Sequence, residues 1–181
     1  MKETTYSRTV DTKILAEAVV FISLSNVLYI LSKVYLPFLK LPEGGSITLA
    51  SMVPLLWFAL RRGLRWGIEA GLAYGLVHMV ISGKIYYPTQ ALLDYPLAFA
   101  ALGLAGAFRK RPIIGVAVGI FGRFIFHFIS GVIFFGQYAW PGWSVIAYSA
   151  AYNATYLVPE FIVSAIIIFI LYKRNLLEIY L

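Results

Sequence analysis

Six long apolar runs set the terms for this chain: residues 14–36, 47–60, 64–82, 90–108, 113–135 and 147–172. Most approach the ~20 residues that a helix needs to cross the hydrocarbon core of a bilayer. Hydrophobic residues make up 61% of the 181 residues and charged ones 13%, about half the charged share of an ordinary soluble domain, which is ~25%. The mean hydropathy is +0.82. The expected fold is all-α: a six-transmembrane-helix bundle forming a single integral membrane domain over residues 1–181. Its connections are short and leave no room for a soluble domain.

The opening segment MKETTYSRTVD is polar and lacks the ordered regions of a cleavable signal, so the first helix is expected to be retained. There are no cysteines, which removes disulfides, thiolate nucleophiles and cysteine metal sites from consideration. The net charge of +7 reads as topology rather than as nucleic-acid binding. Lys2, Arg8, Lys13, Arg61, Arg62, Arg65, Arg109, Lys110, Arg111, Lys173 and Arg174 fall on one side of the six-helix layout, and only Lys33, Lys40 and Lys84 on the other. The excess of basic residues puts both N and C termini in the cytoplasm.

Within the runs, LPEGGSITL (41–49) is expected to turn back at the bilayer edge, and Pro54 to kink the second helix or sit in its first turn. Gly63, Gly67, Gly71 and Gly75 recur every fourth residue of the third helix, a spacing that lets a neighbouring helix approach closely. Gly103–Ala107 and Gly115–Gly119 repeat it. No internal repeat supports the two-half architecture of many secondary transporters. No GxxxxGK[ST] phosphate loop is present either.

Ionisable groups inside a membrane mark built sites. Arg123 lies ~16 Å along the fifth helix and Glu160 ~13 Å along the sixth from the opposite side, so the two are expected to meet near the midplane as a structural ion pair. His127 follows Arg123 by one turn, and Gly131 follows His127 by another. The histidine either bonds a backbone carbonyl or faces a ligand; the adjoining glycine favours the ligand. Tyr148, Tyr152, Asn153 and Tyr156 occupy the facing half of the sixth helix, and Asn153 shares a face with Glu160 seven residues on. Asp94 admits two readings, a charge favouring the dipole of its helix or a counter-ion for a cationic ligand. Glu17 and Glu69 each follow a base by four residues, Lys13 and Arg65, and read as interfacial pairs.

Tyr86, Tyr87, Tyr95, Phe134, Phe135, Tyr138, Trp140, Trp143 and Tyr148 all map to the end opposite the basic loops. Interfacial aromatics are general in membrane proteins, but rings around a carboxylate also suit a flat cation, at ~0.5–2 kcal/mol per contact. No catalytic set emerges: His78 and His127 lack HExxH spacing, and no GxSxG elbow occurs. No metal or cofactor is expected. On the residues alone, the rivals to a binding subunit are a proton-coupled secondary transporter of a cationic amine, using Asp94 or Glu160, and an intramembrane enzyme with His127 as base.

The segments ALRRGLRWG (59–67), GLVHMVISGK (75–84), QALLDYPLAFAALGLAG (90–106) and RFIFHFISGVIFFGQYAWPGWSVIAYSAAYN (123–153) together resemble the thiamine-specific substrate-binding subunits (S-components) of energy-coupling factor (ECF) transporters. The resemblance implies a bacterial cytoplasmic membrane protein that captures thiamine from outside. It also implies coupling to an ECF transmembrane subunit and two cytosolic ATPase subunits. By matching position it puts Asp94 on the aminopyrimidine as a neutralising acid, with Tyr95 beside it. His127 and Gly131 then line the thiazolium side, and Tyr148 and Asn153 supply polar contacts. Tyr74, Tyr86 and Phe135 stand at aromatic positions, Phe135 where some members carry tryptophan. The alanine pair that often marks the docking face of helix one is replaced here by Val19 and Ser23.

Overall fold

The computed structural model describes residues 12–48, 50–82 and 84–177. Lys2, Arg8 and the rest of the opening segment lie outside the described residues. The helices are α1 (Thr12–Tyr35), α2 (Val53–Arg62), α3 (Leu64–Ser82), α4 (Pro88–Phe108), α5 (Pro112–Phe134) and α6 (Val145–Lys173). Among the described residues there is no strand, only one isolated backbone bridge between Lys40 and Ser46. The chain is therefore all-helical. Among the described residues four helices, α1, α4, α5 and α6, are long and apolar enough to cross a membrane. Their outward surface is oily: Val20 on α1, Phe121 and Ile133 on α5 and Ile146 on α6 are each more than 60% exposed. On helices of this length and composition, such a surface is made for lipid.

The second apolar run behaves differently from a span. Helix starts only at Val53, so α2 has 10 residues and is ~15 Å long, half the hydrocarbon thickness. Pro54 sits in its first turn, where the missing N–H costs no hydrogen bond. Ala50, in the left-handed region with φ 65°, turns the chain off any helical path leading into that turn. α2 is a core helix. Leu55, Leu56, Ala59 and Leu60 are all nearly fully buried and together with Phe99, Leu102, Val116, Ile120 and Ile168 form the centre of the packing, while Phe58 packs with Ala18 and Ala70.

α2 and α3 are joined through Gly63 alone, whose φ of 92° lies where side-chain-bearing residues are strained. The glycine stripe of α3 then meets α4. A Cβ on Gly71 would fall 2.3 Å from the carbonyl oxygen of Phe99, and one on Gly75 would fall 2.6 Å from Cα of Pro96. The two backbones touch with no side chain between them, the packing mode that small residues allow in membranes.

α4 is not a uniform α-helix. Pro96 lies in its interior, and the chain widens into a π-helical turn at Leu93–Leu97, then tightens to 3₁₀ geometry over Ala101–Phe108. Proline has no N–H for the helical ladder and its ring crowds the preceding turn, so the local winding must change. α6 carries a second interior proline, Pro159, directly before Glu160. At the opposite end of the bundle from the loops, Glu69 pairs with Arg65 at 2.9 Å as expected. Glu17 reaches across to α2, where it contacts Arg61 at 2.9 Å and also Arg62.

The α3–α4 seam makes a direct prediction. Gly71→Ala forces the two helices apart at a backbone-to-backbone contact, an overpacking that costs ~1–3 kcal/mol. Thermal unfolding in detergent is expected to fall by ~3–10 °C, whereas Val20→Ala on the exposed face of α1 changes it far less.

Candidate functional site

The α1–α2 loop, the short α3–α4 connection and the α5–α6 loop gather at one end of the bundle. In the first loop, Pro37–Leu39 and Pro42–Gly44 form two 3₁₀ turns, and the hydrogen bonds Leu41 N–H to Gly45 O (2.7 Å) and Ile47 N–H to Leu39 O (3.1 Å) fold it on itself. Its far limb then turns down into the bundle. Tyr152 of α6 holds it by accepting from the Gly45 N–H at 2.9 Å and donating to the Pro42 carbonyl. Thr48 is buried, and both its backbone N–H and its hydroxyl donate to Glu160 Oε1.

Beneath these loops lies a cavity of about 350 Å³, in the range of small-molecule sites, ~300–1,000 Å³. All nine candidate contact residues line it: Tyr74, Tyr86, Asp94, Tyr95, His127, Gly131, Phe135, Tyr148 and Asn153. They come from α3, the α3–α4 connection, α4, α5, the α5–α6 loop and α6, so no single element carries the site.

A continuous hydrogen-bonded row crosses one wall. Arg123 Nε donates to His127 Nε2 at 3.1 Å. His127 Nδ1 lies 3.0 Å from Asp94 Oδ1. Gln90 Nε2 donates to Asp94 Oδ2 at 2.6 Å, and Gln90 Oε1 accepts from the Tyr86 N–H at 3.0 Å. Arginine has no acceptor, so Nε2 of His127 must present a lone pair. The proton of a neutral imidazole then sits on Nδ1 and is donated to Asp94. Asp94 faces the cavity from the π-helical turn that Pro96 enforces.

The expected ion pair between Arg123 and Glu160 is not made, although both line the cavity. The guanidinium of Arg123 lies 4.2 Å from the centroid of the Phe99 ring and turns toward His127 and the sulfur of Met52. Stacking on an aromatic face and bonding one turn along its own helix satisfy it without the acid. Glu160, 2% exposed, spends Oε1 on Thr48, and Oε2 has no hydrogen-bond partner. Helical rise sets the height of an α-carbon and not the partner its side chain takes, which for Glu160 is a loop threonine.

The other candidates divide by how free they are. Asn153 is committed within the protein: Nδ2 donates to Ser149 O at 2.9 Å and Oδ1 accepts from Tyr156 OH at 2.6 Å. Gly131 does not leave open space, because a Cβ there would lie 2.2 Å from Ser149 Oγ. Its bareness lets α6 approach α5. Tyr95 OH accepts from Ser82 Oγ at 2.7 Å and donates to Lys84 O at 3.0 Å. Tyr74 OH meets His78 Nδ1 at 3.2 Å. Tyr86 and Phe135 stand edge to face at 5.8 Å, and Tyr148 meets Trp140 edge to face at 5.3 Å, leaving rings around the mouth.

Sequence reasoning missed Gln90, Thr48 and His78. Gln90 had a readable signal, since it precedes Asp94 by one helical turn. Thr48 had none, because its role depends on where a loop lands. His78 was weighed only as half of a metal motif. It packs between Tyr29 and Tyr74, with ring centroids at 4.3 and 5.2 Å.

Comparison with known proteins gives a consistent result. Residues 15–179 match the family model described as thiamine transporter protein. The thiamine transporter ThiT of Bacillus subtilis (strain 168) is 39% identical over 153 residues, covering 75% of this chain and 79% of that protein. ThiT of Lacticaseibacillus paracasei is 32% identical over 122 residues, covering 56% and 61% respectively. A solved structure of ThiT from Listeria monocytogenes superposes with a TM-score of 0.75 at 31% identity, covering 90% of this chain and 94% of that one.

The row of hydrogen bonds predicts a tautomer. In lipid, ¹⁵N magnetic resonance of labelled His127 is expected to show a protonated Nδ1 and a bare Nε2. Asp94 imposes the same tautomer from the other side of the ring, so Arg123→Met alone is expected to leave Nδ1 protonated, whereas the double variant Arg123→Met/Asp94→Leu frees the ring to populate protonated Nε2.

Proposed function

The chain belongs to the thiamine transporter family, and on that premise we propose that it is the thiamine-binding membrane subunit of an ATP-driven vitamin uptake system. The observation that carries the reading is the convergence of nine candidate residues on one cavity with Asp94 held between His127 and Gln90. Thiamine offers an aminopyrimidine edge rich in hydrogen-bonding groups and a thiazolium ring with a permanent positive charge. Asp94 retains acceptor capacity for the pyrimidine amine. Tyr74, Tyr95 and Tyr148 supply rings and hydroxyls along the walls. Tyr86 and Phe135 offer faces at the mouth, where a cation is stabilised by ~0.5–2 kcal/mol per ring. His127, Gly131 and Asn153 hold the wall between α5 and α6.

The proposed setting is a single membrane domain with six helices, of which α2 packs as a short core helix, and with both termini in the cytoplasm. The cavity then opens outward. The chain carries no phosphate loop, so the energy for inward movement comes from partners: a transmembrane coupling subunit and two cytosolic ATPases. Small and apolar side chains exposed on α1, including Val19 at 61% and Val20 at 63%, offer a face on which such a subunit packs.

Purified protein is expected to bind one thiamine per chain, with quenching of intrinsic fluorescence reported by Trp140 and Trp143 beside Tyr148. Asp94→Asn or His127→Ala, each removing a hydrogen bond to a charged group worth ~1.5–3 kcal/mol, weakens binding by ~10–100-fold. Full-strength thiamine binding by both variants would place the pocket elsewhere. Uptake by the isolated chain in liposomes under a pH gradient, with no ATP, would point instead to a proton-coupled carrier of cationic amines.

A further inference from the structure

Gln90 is 2% exposed and lies in the first turn of α4, one helical turn before Asp94. Its amide is engaged at both ends: Oε1 accepts from the Tyr86 N–H at 3.0 Å, and Nε2 donates to Asp94 Oδ2 at 2.6 Å. A carboxylate accepts and a backbone N–H donates, so the two neighbours fix which way round the amide lies. Reaching back across the helix start resembles the capping box, in which a glutamine at the third helical position bonds a backbone N–H. A cap is complete with the Tyr86 bond alone. The bond to Asp94 is the part that capping does not need. It matters because the last torsion of an aspartate is soft. Held only by His127 Nδ1 at Oδ1, at 3.0 Å, the carboxylate could still turn about its Cβ–Cγ bond. A second donor on the other oxygen, arriving from α4 rather than α5, fixes its plane.

We propose that Gln90 is a positioning residue for ligand recognition: anchored on the Tyr86 N–H, its amide sets the plane of the Asp94 carboxylate so that the remaining lone pairs meet the amine of the ligand's pyrimidine edge. The inference rests on the thiamine reading above and adds to it the group that makes Asp94 directional. Hydrogen bonds weaken steeply as they bend, so an acid free to turn reads an amine poorly. One whose plane is set beforehand spends no binding energy on being ordered. The anchor is a backbone group, which leaves the ring of Tyr86 free to stand against Phe135 at the mouth. Gln90 thus orients the acid without itself having to touch the ligand.

The test titrates two probes, thiamine and an analogue with oxygen in place of the pyrimidine amine, against the purified parent and two variants. Gln90→Met matches the length of glutamine without its polar atoms. Gln90→Asn keeps the amide but is one methylene too short to span from the Tyr86 N–H to Asp94, and it decides the question if Gln90→Met does not fold. The parent is expected to bind thiamine about tenfold or more tightly than the analogue. In both variants most of that preference is expected to disappear, with thiamine affinity falling and analogue affinity changing much less. In an Asp94→Ala background, adding Gln90→Met is expected to change thiamine affinity by no more than about twofold, because a residue that works through Asp94 then has nothing to position. Equal losses of both probes, or full losses in the Asp94→Ala background, would make Gln90 a cap for the start of α4 and overturn the inference. An undiminished preference in the variants would overturn it as well, as would a parent that binds both probes equally. A parent that binds neither probe overturns the thiamine reading itself.

Discussion

A charge enclosed by a lipid-facing bundle must find its partners inside the protein, and the placement of Arg123 shows how far that requirement reaches. Its guanidinium lies over Phe99 of α4, bonds His127 one turn along α5 and touches Met52 at the start of α2. Three elements are thereby tied to one side chain. His127 is in turn fixed as the donor to Asp94, and Asp94 is braced by Gln90, whose other end holds the backbone of Tyr86. The row runs from the interior of the bundle to the α3–α4 connection without a break. Removing any member leaves a desolvated group facing its absent neighbour, which costs more than the bond itself contributed.

Three departures from regular helix fall beside the cavity. Pro96 opens α4 into a wide turn at Asp94, Pro159 interrupts the ladder of α6 just before Glu160, and the run before α2 is unwound so that Thr48 can reach that acid. Irregular backbone at membrane depth is tolerated only where protein or a water-filled space receives the freed polar groups. Here both acids of the cavity sit at such points. The α3–α4 seam shows the contrary regime: glycine against backbone, with no room for a polar group or a cavity.

The sequence made some features readable and hid others for physical reasons. Hydropathy exposes the long lipid-facing helices, because their outward faces must be apolar whatever the interior does. Glycine spacing exposes the α3–α4 contact for the same kind of reason, since no other residue fits. Hydropathy misleads at α2, whose apolar residues serve a protein core rather than a span. It is equally blind to Ala50, where the chain turns out of helical geometry. The cavity wall was visible in its residue types but not in its bonding. Helical rise predicts a meeting of Arg123 and Glu160, yet side-chain partners are chosen in three dimensions, among Phe99, His127 and Met52 on one hand and a loop threonine on the other. Such choices leave no mark in the spacing of one chain.

The same bonding bears on how the cavity can be both rigid and receptive. Asn153, Tyr156, Ser149 and Tyr95 have their polar atoms largely satisfied by protein, so they hold the walls in place without needing a ligand. A site whose polar groups are already oriented loses little freedom when it is filled, and its affinity is not spent on ordering side chains. What remains open is narrow: acceptor capacity on Asp94 and aromatic faces near the mouth. These are a carboxylate acceptor and π-faces, and together they suit a flat molecule with a donor edge and a positive charge. The dense bonding of the wall groups is what lets those few openings decide which molecule fits.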